Sequence, residues 1–332
     1  MLRSETAAEP ERTAAALDGL AAYQQAPRPA PPPPRPVMAR AGRARLLDHG
    51  EGEGGRPLVI VPSLINGPDI LDLLPELSML RWLAQQNIRP LLVDWGEPEP
   101  GERGLSIGGH VETMLLPLLD AVGREAALAG YCLGGTMALA AAMLRPPRSL
   151  ALIAAPWRFA GFPAESREGL GALWAEARPI GEKLGLLPLE VLQTAFWRLD
   201  PKRSIDKFVA FGRAERDEAA TRRFVAIEDW ANGGAPLTLE AGRELAEDLF
   251  GQDVTGSGRW RVAGEAIDPA RLACPVLDIV STSDRIVPAA SAAGVGKRLT
   301  LTQGHVGMIV GGRARESLWR PLAEWVANPH IG

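Results

Sequence analysis

The sequence has 332 residues, of which 46% are hydrophobic, with a formal net charge of −4 and a sequence isoelectric point near 5.7. A chain of this size can bury one large core or two small ones, and its acidic balance argues against a nucleic-acid partner. Its two cysteines, Cys132 and Cys274, exclude a disulfide framework and a cysteine-rich metal cluster, and they fit a reducing cytosol.

The ends and the hydropathy of the chain indicate a cytoplasmic protein. No stretch approaches the roughly 20 consecutive apolar residues that a membrane-spanning helix needs. The first five residues are polar and acidic, so they do not resemble a signal peptide.

Residues 1–41 are predicted to form a flexible N-terminal extension. A short helix is expected over residues 11–23, followed by a proline-rich run over residues 27–36. Such a run adopts the polyproline II conformation and acts as a semi-rigid spacer. A role as a ligand for an SH3-like domain is the alternative, but composition alone already explains a linker.

From residue 42 to residue 330 the pattern predicts one α/β domain. Short apolar runs bounded by proline or glycine alternate with helical patterns, which indicates a mostly parallel sheet with helices on both faces. The predicted strands are 57–62, 90–94, 126–129, 149–154, 275–280 and 298–302, and the predicted helices are 76–86, 107–122, 136–144 and 315–325. Between residues 157 and 255 the strand pattern is interrupted, and we expect a helical insertion that caps the sheet.

The segment Gly-Tyr-Cys-Leu-Gly-Gly at 130–135 is the most informative motif. It lies between a predicted strand and a predicted helix, which is the setting of the nucleophile elbow in α/β-hydrolases. Glycines suit this turn because the backbone at the nucleophile is strained and the strand and helix approach closely. The central Cys132 would lie at a helix N-terminus, where the partial positive charge favours a thiolate. A structural buried cysteine is the competing interpretation.

A histidine base for this nucleophile can be chosen by chain order, since the acid and the histidine follow the nucleophile in this fold. Of the four histidines only His305 and His330 follow Cys132, and His330 lies almost at the C-terminus. His305 comes directly after a predicted strand and is flanked by glycines. We therefore predict His305 as the general base.

The acid of the predicted triad is Asp284, which lies just beyond the strand 275–280 and could reach Nδ1 of the histidine. Its role would be to orient the ring rather than to take the proton. Asp278 is the competitor, but it lies inside the apolar strand. The oxyanion hole is expected to use backbone N–H groups of Leu133, the residue after the nucleophile, and of Leu64 in the first loop.

Several segments together resemble the polyhydroxyalkanoate synthases, within the α/β-hydrolase superfamily. They extend from the first active-site loop to the histidine loop, in the order expected for that family, and cover roughly residues 55–312. The segments are 62–66, 70–73, 78–83, 94–96, 130–136, 224–230, 284–288 and 304–305.

The resemblance implies an acyltransferase in which a cysteine takes an acyl group from 3-hydroxyacyl-coenzyme A and a histidine serves as base. A second 3-hydroxyl group then attacks the thioester, so that a polyester grows. Coenzyme A thioester is here a substrate, and neither a metal nor a resident cofactor is expected. The resemblance further implies a cytoplasmic location at polymer granules, and it leaves open a homodimer or a small partner subunit.

Two other functions remain open from the sequence. A thioesterase or polyester depolymerase on the same scaffold would differ only in letting water reach the acyl-enzyme. A non-enzymatic protein that binds granules or a partner subunit would not need Cys132, Asp284 and His305 in the required order.

Overall fold

The computed structural model of the chain describes Thr6 and residues 9–30, 32–50, 52, 54–214 and 217–329. Its centre is an eight-stranded sheet with the order β1-β2-β4-β3-β5-β6-β11-β12, in which only β2 runs against the other seven. The eight strands are β1 Val37–Ala41, β2 Ala44–Asp48, β3 Arg56–Val61, β4 Ile88–Asp94, β5 Ala127–Tyr131, β6 Leu150–Ile153, β11 Val276–Ser281 and β12 Lys297–Leu301.

Helices cover both faces of this sheet and form a cap above its carboxyl edge. The helices are α1 Pro10–Gln25, α2 Met79–Ala84, α3 Ile107–His110, α4 Leu116–Val122, α5 Leu133–Leu144, α6 Ala164–Leu184, α7 Leu189–Leu199, α8 Pro201–Arg213, α9 Glu218–Asn232, α10 Leu239–Arg243, α11 Gly307–Val310 and α12 Arg320–Ala327. None of these helices combines the length and the hydropathy that a membrane crossing requires.

The apolar strands bury both of their faces, which is why they read as continuous hydrophobic runs. On β3, Val59 and Val61 belong to one core cluster, whereas Leu58 and Ile60 belong to another. This alternation follows from the two-residue period of a strand. The two clusters fix the sheet between two helical layers, so its carboxyl edge is a rigid platform for side chains.

The α/β-hydrolase fold predicted from the sequence is confirmed by this sheet and its helices. The six predicted strands all occur, each within about two residues of its expected bounds. Two further strands of this sheet, β1 and β2, were missed because each has only five residues and contains charged residues that interrupt an apolar run. The helix expected over residues 107–122 is interrupted by a π-helical turn, Val111–Leu115, between α3 and α4.

The region between β6 and β11 supplies no strand to the central sheet within the described residues. It contains the helices α6 to α10 and two separate two-stranded ribbons, which are β7 Leu186–Leu187 with β8 Leu237–Thr238, and β9 Arg261–Val262 with β10 Glu265–Ala266. This stretch coincides with the helical insertion expected over residues 157–255.

The N-terminal segment differs from the flexible extension expected over residues 1–41. Its last residues form β1, so the sheet begins at Val37 and not after residue 41. The helix α1 packs against α8, and Arg12 forms a 2.7 Å ion pair with Asp206. Tyr23 donates a 2.6 Å hydrogen bond to Asp229 on α9. The segment therefore links two cap helices to the edge of the sheet.

The contact between α1 and α8 depends on glycine at the helix crossing. A Cβ atom on Gly19 would lie 1.9 Å from the carbonyl oxygen of Phe208. We expect Gly19→Ala to lose roughly 1–3 kcal/mol of unfolding free energy, because the two helices must separate. Denaturant unfolding and limited proteolysis near α1 would measure the change.

Gly171→Ala is the matched control for this substitution. Gly171 lies within α6, and a Cβ atom there would meet no atom within 4 Å. Alanine should therefore be neutral or stabilise the helix by about 0.5–1 kcal/mol. If Gly19→Ala were as stable as wild type, the described packing of α1 would be contradicted.

Candidate active site

Cys132 occupies a strained turn between β5 and α5. Its backbone has φ 57° and ψ −133°, a conformation that residues other than glycine rarely adopt. Its N–H donates a 3.0 Å hydrogen bond to the carbonyl oxygen of Ile153 on β6. The turn therefore presents the cysteine side chain at the carboxyl edge of the sheet, directly before the first residue of α5.

The glycines of the elbow are required by close backbone contacts. A Cβ atom on Gly130 would lie 2.5 Å from the Cα atom of Gly135, so the strand and the helix touch at this point. A Cβ atom on Gly134 would lie 2.2 Å from the carbonyl oxygen of Val61. The loop that follows β3 consequently packs directly against the start of α5.

His305 and Asp284, the two predicted partners of the cysteine, form a buried pair. Nδ1 of His305 lies 2.7 Å from Oδ2 of Asp284. Oδ1 of the aspartate accepts hydrogen bonds from the N–H groups of Ile286 (2.8 Å) and Val287 (2.9 Å). Both side chains are almost fully buried. The loop after β11 thus holds the carboxylate in one orientation toward the imidazole.

The charge environment of His305 favours its protonated form. Burial of the ring lowers its pKa, but the negative charges of Cys132 and Asp284 and the hydrogen bonds to both outweigh burial and raise the pKa from 6.5 to about 10. The arrangement is therefore suited to an imidazolium that the carboxylate of Asp284 stabilises beside Cys132.

Tyr131 is a site residue that the sequence reasoning missed. Its ring stacks on the imidazole of His305, with ring centroids 4.9 Å apart and an interplanar angle of 24°. Its hydroxyl donates a 3.2 Å hydrogen bond to the carbonyl oxygen of His305. Burial, with the charges of Cys132 and Asp284, raises the pKa of Tyr131 well above its ordinary value, so the hydroxyl stays neutral. Its position next to Cys132 in the motif was the available signal.

The competing acid does not join this site. Asp278 is buried on β11, where it accepts hydrogen bonds from Arg298 (3.0 Å) and from the N–H of Gly294 (3.2 Å). Burial raises the pKa of Asp278. His330 lies outside the described residues.

The two residues expected to form the oxyanion hole lie on either side of the elbow. Leu133 is the first residue of α5, and Leu64 follows β3 in the loop that packs against the start of that helix. The assignment of their N–H groups to an oxyanion remains a prediction.

Cys274, the other cysteine, lies far from this chemistry along β11. It precedes that strand, at the end opposite Asp284, and it packs against the core cluster that contains Val59. Burial raises the pKa of the Cys274 thiol to about 11. Its thiol is therefore poorly suited to act as a nucleophile near neutral pH.

Two cavities reach Cys132. One has a volume of about 360 Å³ and is lined mainly by apolar side chains of the cap, including Phe159, Phe162 and Phe250. The other has a volume of about 170 Å³ and is also lined mainly by apolar side chains, together with His305 and several polar groups of the cap and of the first loop. These polar groups are Ser63, Asn66, Ser204, Lys207 and Asn232. Phe196 on α7 and Ile286 border both cavities.

Solved structures show that the fold of the chain is of the α/β-hydrolase class. The enol-lactonase from Burkholderia xenovorans LB400 superposes with a TM-score of 0.54 at 16% sequence identity, covering 88% of this chain and 100% of that one. Rv0554 from Mycobacterium tuberculosis gives a TM-score of 0.51 at 18% identity, covering 85% of this chain and 93% of that one.

Within that class the chain is similar to poly(3-hydroxyalkanoate) polymerase subunits PhaC, as its motifs indicated. It is 28% identical to the subunit of Haloferax mediterranei over 88% of this chain and 63% of that protein. For Haloarcula marismortui the identity is 26%, over 83% of this chain and 62% of that protein. For Synechocystis sp. it is 26%, with 82% and 78% covered. The chain thus spans less than two thirds of the two haloarchaeal subunits, and no protein-family model matches it.

Replacing Asp284 should change the protonation of His305 in a measurable way. Asp284→Asn removes one of the two negative charges beside the ring while burial remains, so the pKa of His305 should fall well below about 10. Nuclear magnetic resonance titration of histidine-labelled protein would measure it. Tyr131→Phe is the control, because the lost hydroxyl contacts a main-chain carbonyl group and not the imidazole.

The same pKa predicts how stability depends on pH. Since the folded-state pKa of His305 exceeds the ordinary value of 6.5, the bound proton stabilises the fold fully below about pH 6.5 and progressively less as the pH rises through about 10. The stability difference between wild type and Asp284→Asn should shrink over that interval. A difference that grew with pH would contradict the assignment of charges.

Proposed function

We propose that the protein is a polyhydroxyalkanoate synthase-like acyltransferase that uses Cys132 as its nucleophile and 3-hydroxyacyl-coenzyme A as its substrate. The observation that carries the proposal is the buried Asp284–His305 pair beside a cysteine at a nucleophile elbow. The similarity to poly(3-hydroxyalkanoate) polymerase subunits over most of the chain supports the choice of substrate.

In the first step of the proposed reaction, the Cys132 thiolate attacks the carbonyl carbon of the thioester. A bond forms between Sγ and the acyl carbon, and the bond to the sulfur of coenzyme A breaks. The imidazolium of His305 gives its proton to the departing thiolate, which leaves as free coenzyme A. The N–H groups of Leu133 and Leu64 would stabilise the negative oxygen of the intermediate.

In the second step the hydroxyl group of another 3-hydroxyacyl chain attacks the thioester on Cys132. His305, now neutral, takes the hydroxyl proton, and an ester bond replaces the thioester bond. Asp284 holds the tautomer of the ring that presents its other nitrogen to the reacting groups. Repetition of both steps lengthens a polyester, and a homodimer or a small partner subunit would complete the active assembly.

Hydrolysis is the second candidate, and one observation favours it. The smaller cavity has room for several water molecules, since a water needs about 30 Å³ of liquid volume, and the polar side chains within its lining could hold them beside His305. Water in place of the hydroxyl group would release a free acid. The protein would then be a thioesterase or a polyester depolymerase on the same scaffold.

One assay distinguishes these functions and tests the nucleophile. With 3-hydroxybutyryl-coenzyme A as substrate, release of coenzyme A together with polymer supports the synthase, and release together with free 3-hydroxybutyrate supports the hydrolase. The absence of both products would contradict an enzymatic role. Chromatography of coenzyme A and of the acyl product would quantify each outcome.

Cys132→Ala should abolish the release of coenzyme A, with a loss of several orders of magnitude, as expected when a nucleophile is removed. Cys274→Ala is the matched control, because that cysteine packs in the core away from the site. It should retain activity. An active Cys132→Ala variant with a normal thermal transition would refute the assignment of the nucleophile.

A further inference from the structure

The larger cavity beside Cys132 has about twice the volume of the smaller one, and most of its lining is apolar. Its inner wall is built from three aromatic and three aliphatic side chains of the cap region. These are Phe159, Phe162, Leu173, Leu192, Leu245 and Phe250. Phe159, Phe162 and Phe250 pack against one another with ring centroids 4.8–5.6 Å apart. These contacts join the three rings into one apolar surface.

The exposed residues of this cavity lie at its outer end. Glu165, Gly169 and Arg198, which are exposed, line the rim, and the half-buried Ser166 lies beside them. A ligand attached to Cys132 would thus meet apolar side chains first and solvent last. The cavity has the character of a site that holds a hydrocarbon chain.

The volume of the cavity decides which chain length fits. Its volume of about 360 Å³ is about ten times the roughly 30 Å³ that one water molecule, or a methyl group of similar size, occupies. A four-carbon 3-hydroxyacyl group carries only a methyl group beyond its hydroxyl-bearing carbon. Most of the apolar wall would stay uncovered by such a substrate, whereas a longer alkyl chain would cover it.

We propose that this cavity receives the alkyl chain of the acyl group, and that the protein prefers medium-chain 3-hydroxyacyl thioesters to the four-carbon one. The inference rests on the proposed function, because it assumes that an acyl group becomes attached to Cys132. The smaller cavity, which His305 lines, is left for the hydroxyl group or the water that attacks the thioester.

The test measures acylation of Cys132 alone, before any product forms. The 3-hydroxyacyl-coenzyme A thioesters with four, six, eight and ten carbons would be compared by single-turnover release of coenzyme A, with mass spectrometry of the acyl-protein. We expect the second-order acylation rate constant to rise about fourfold for each buried methylene group, which is about 250-fold from four to eight carbons. Equal rates, or a maximum at four carbons, would overturn the inference.

A variant that narrows the rim makes the test specific to this cavity. Gly169 lies within α6, and a Cβ atom there would meet no atom within 4 Å, so Gly169→Phe can fold with its ring over the opening. It should lower the ratio of the ten-carbon to the four-carbon acylation rate constant at least tenfold. A uniform loss at all lengths would contradict the proposal.

Gly171→Phe is the matched control, since Gly171 also has open space around it but does not line the cavity. It should leave all four rates unchanged. If no thioester acylates Cys132, both this inference and the proposed function are wrong. If acylation depends on chain length but the product is free acid, the inference holds and the polymerising function fails.

Discussion

The strained backbone of Cys132 is the constraint on which the rest of the site depends. A non-glycine residue at φ 57° and ψ −133° costs roughly 1–3 kcal/mol, so it persists only where the surroundings leave no alternative. Here the surroundings are backbone and not adaptable side chains. The carbonyl of Val61 lies against Gly134, and Gly130 lies against Gly135, so a shift of the turn in either direction produces a clash. The surrounding backbone therefore holds the strained turn in place and keeps the thiol at one position at the carboxyl edge of the sheet.

The position of His305 depends on β5, the strand that leads into the turn at Cys132. Because successive residues of a strand point to opposite faces, fixing Cys132 also fixes the direction of Tyr131. The tyrosine then supports His305 by stacking and by a hydrogen bond to its main chain. Asp284 approaches from the loop after β11 and is oriented by two backbone N–H groups. Three distant segments thus meet at one buried charge cluster, in which the imidazolium balances the negative groups around it.

The sequence was a good guide wherever one segment alone determines the structure. The six buried strands are apolar on both faces, and the elbow needs its glycines for local reasons, so both were predictable. Chain order then led to His305 and Asp284, which the structure brings together. The strands β1 and β2 were missed, because a short edge strand such as Val37–Ala41 obtains its structure from its neighbour and not from its own pattern. The cavities were also beyond prediction, because their walls combine residues more than 100 positions apart.

The cap links the two cavities that reach Cys132 to the N-terminal segment. Phe196 on α7 and Ile286 border both cavities, and both cavities are lined mainly by apolar side chains. In the proposed reaction, an acyl chain in the larger cavity would leave the smaller one, with His305, to the hydroxyl group or the water that attacks the thioester. The helices α8 and α9, which line the smaller cavity through Lys207 and Trp230, are the helices that α1 holds in place. The N-terminal segment thereby supports the wall of the cavity in which the proposed polymerase and hydrolase reactions would diverge.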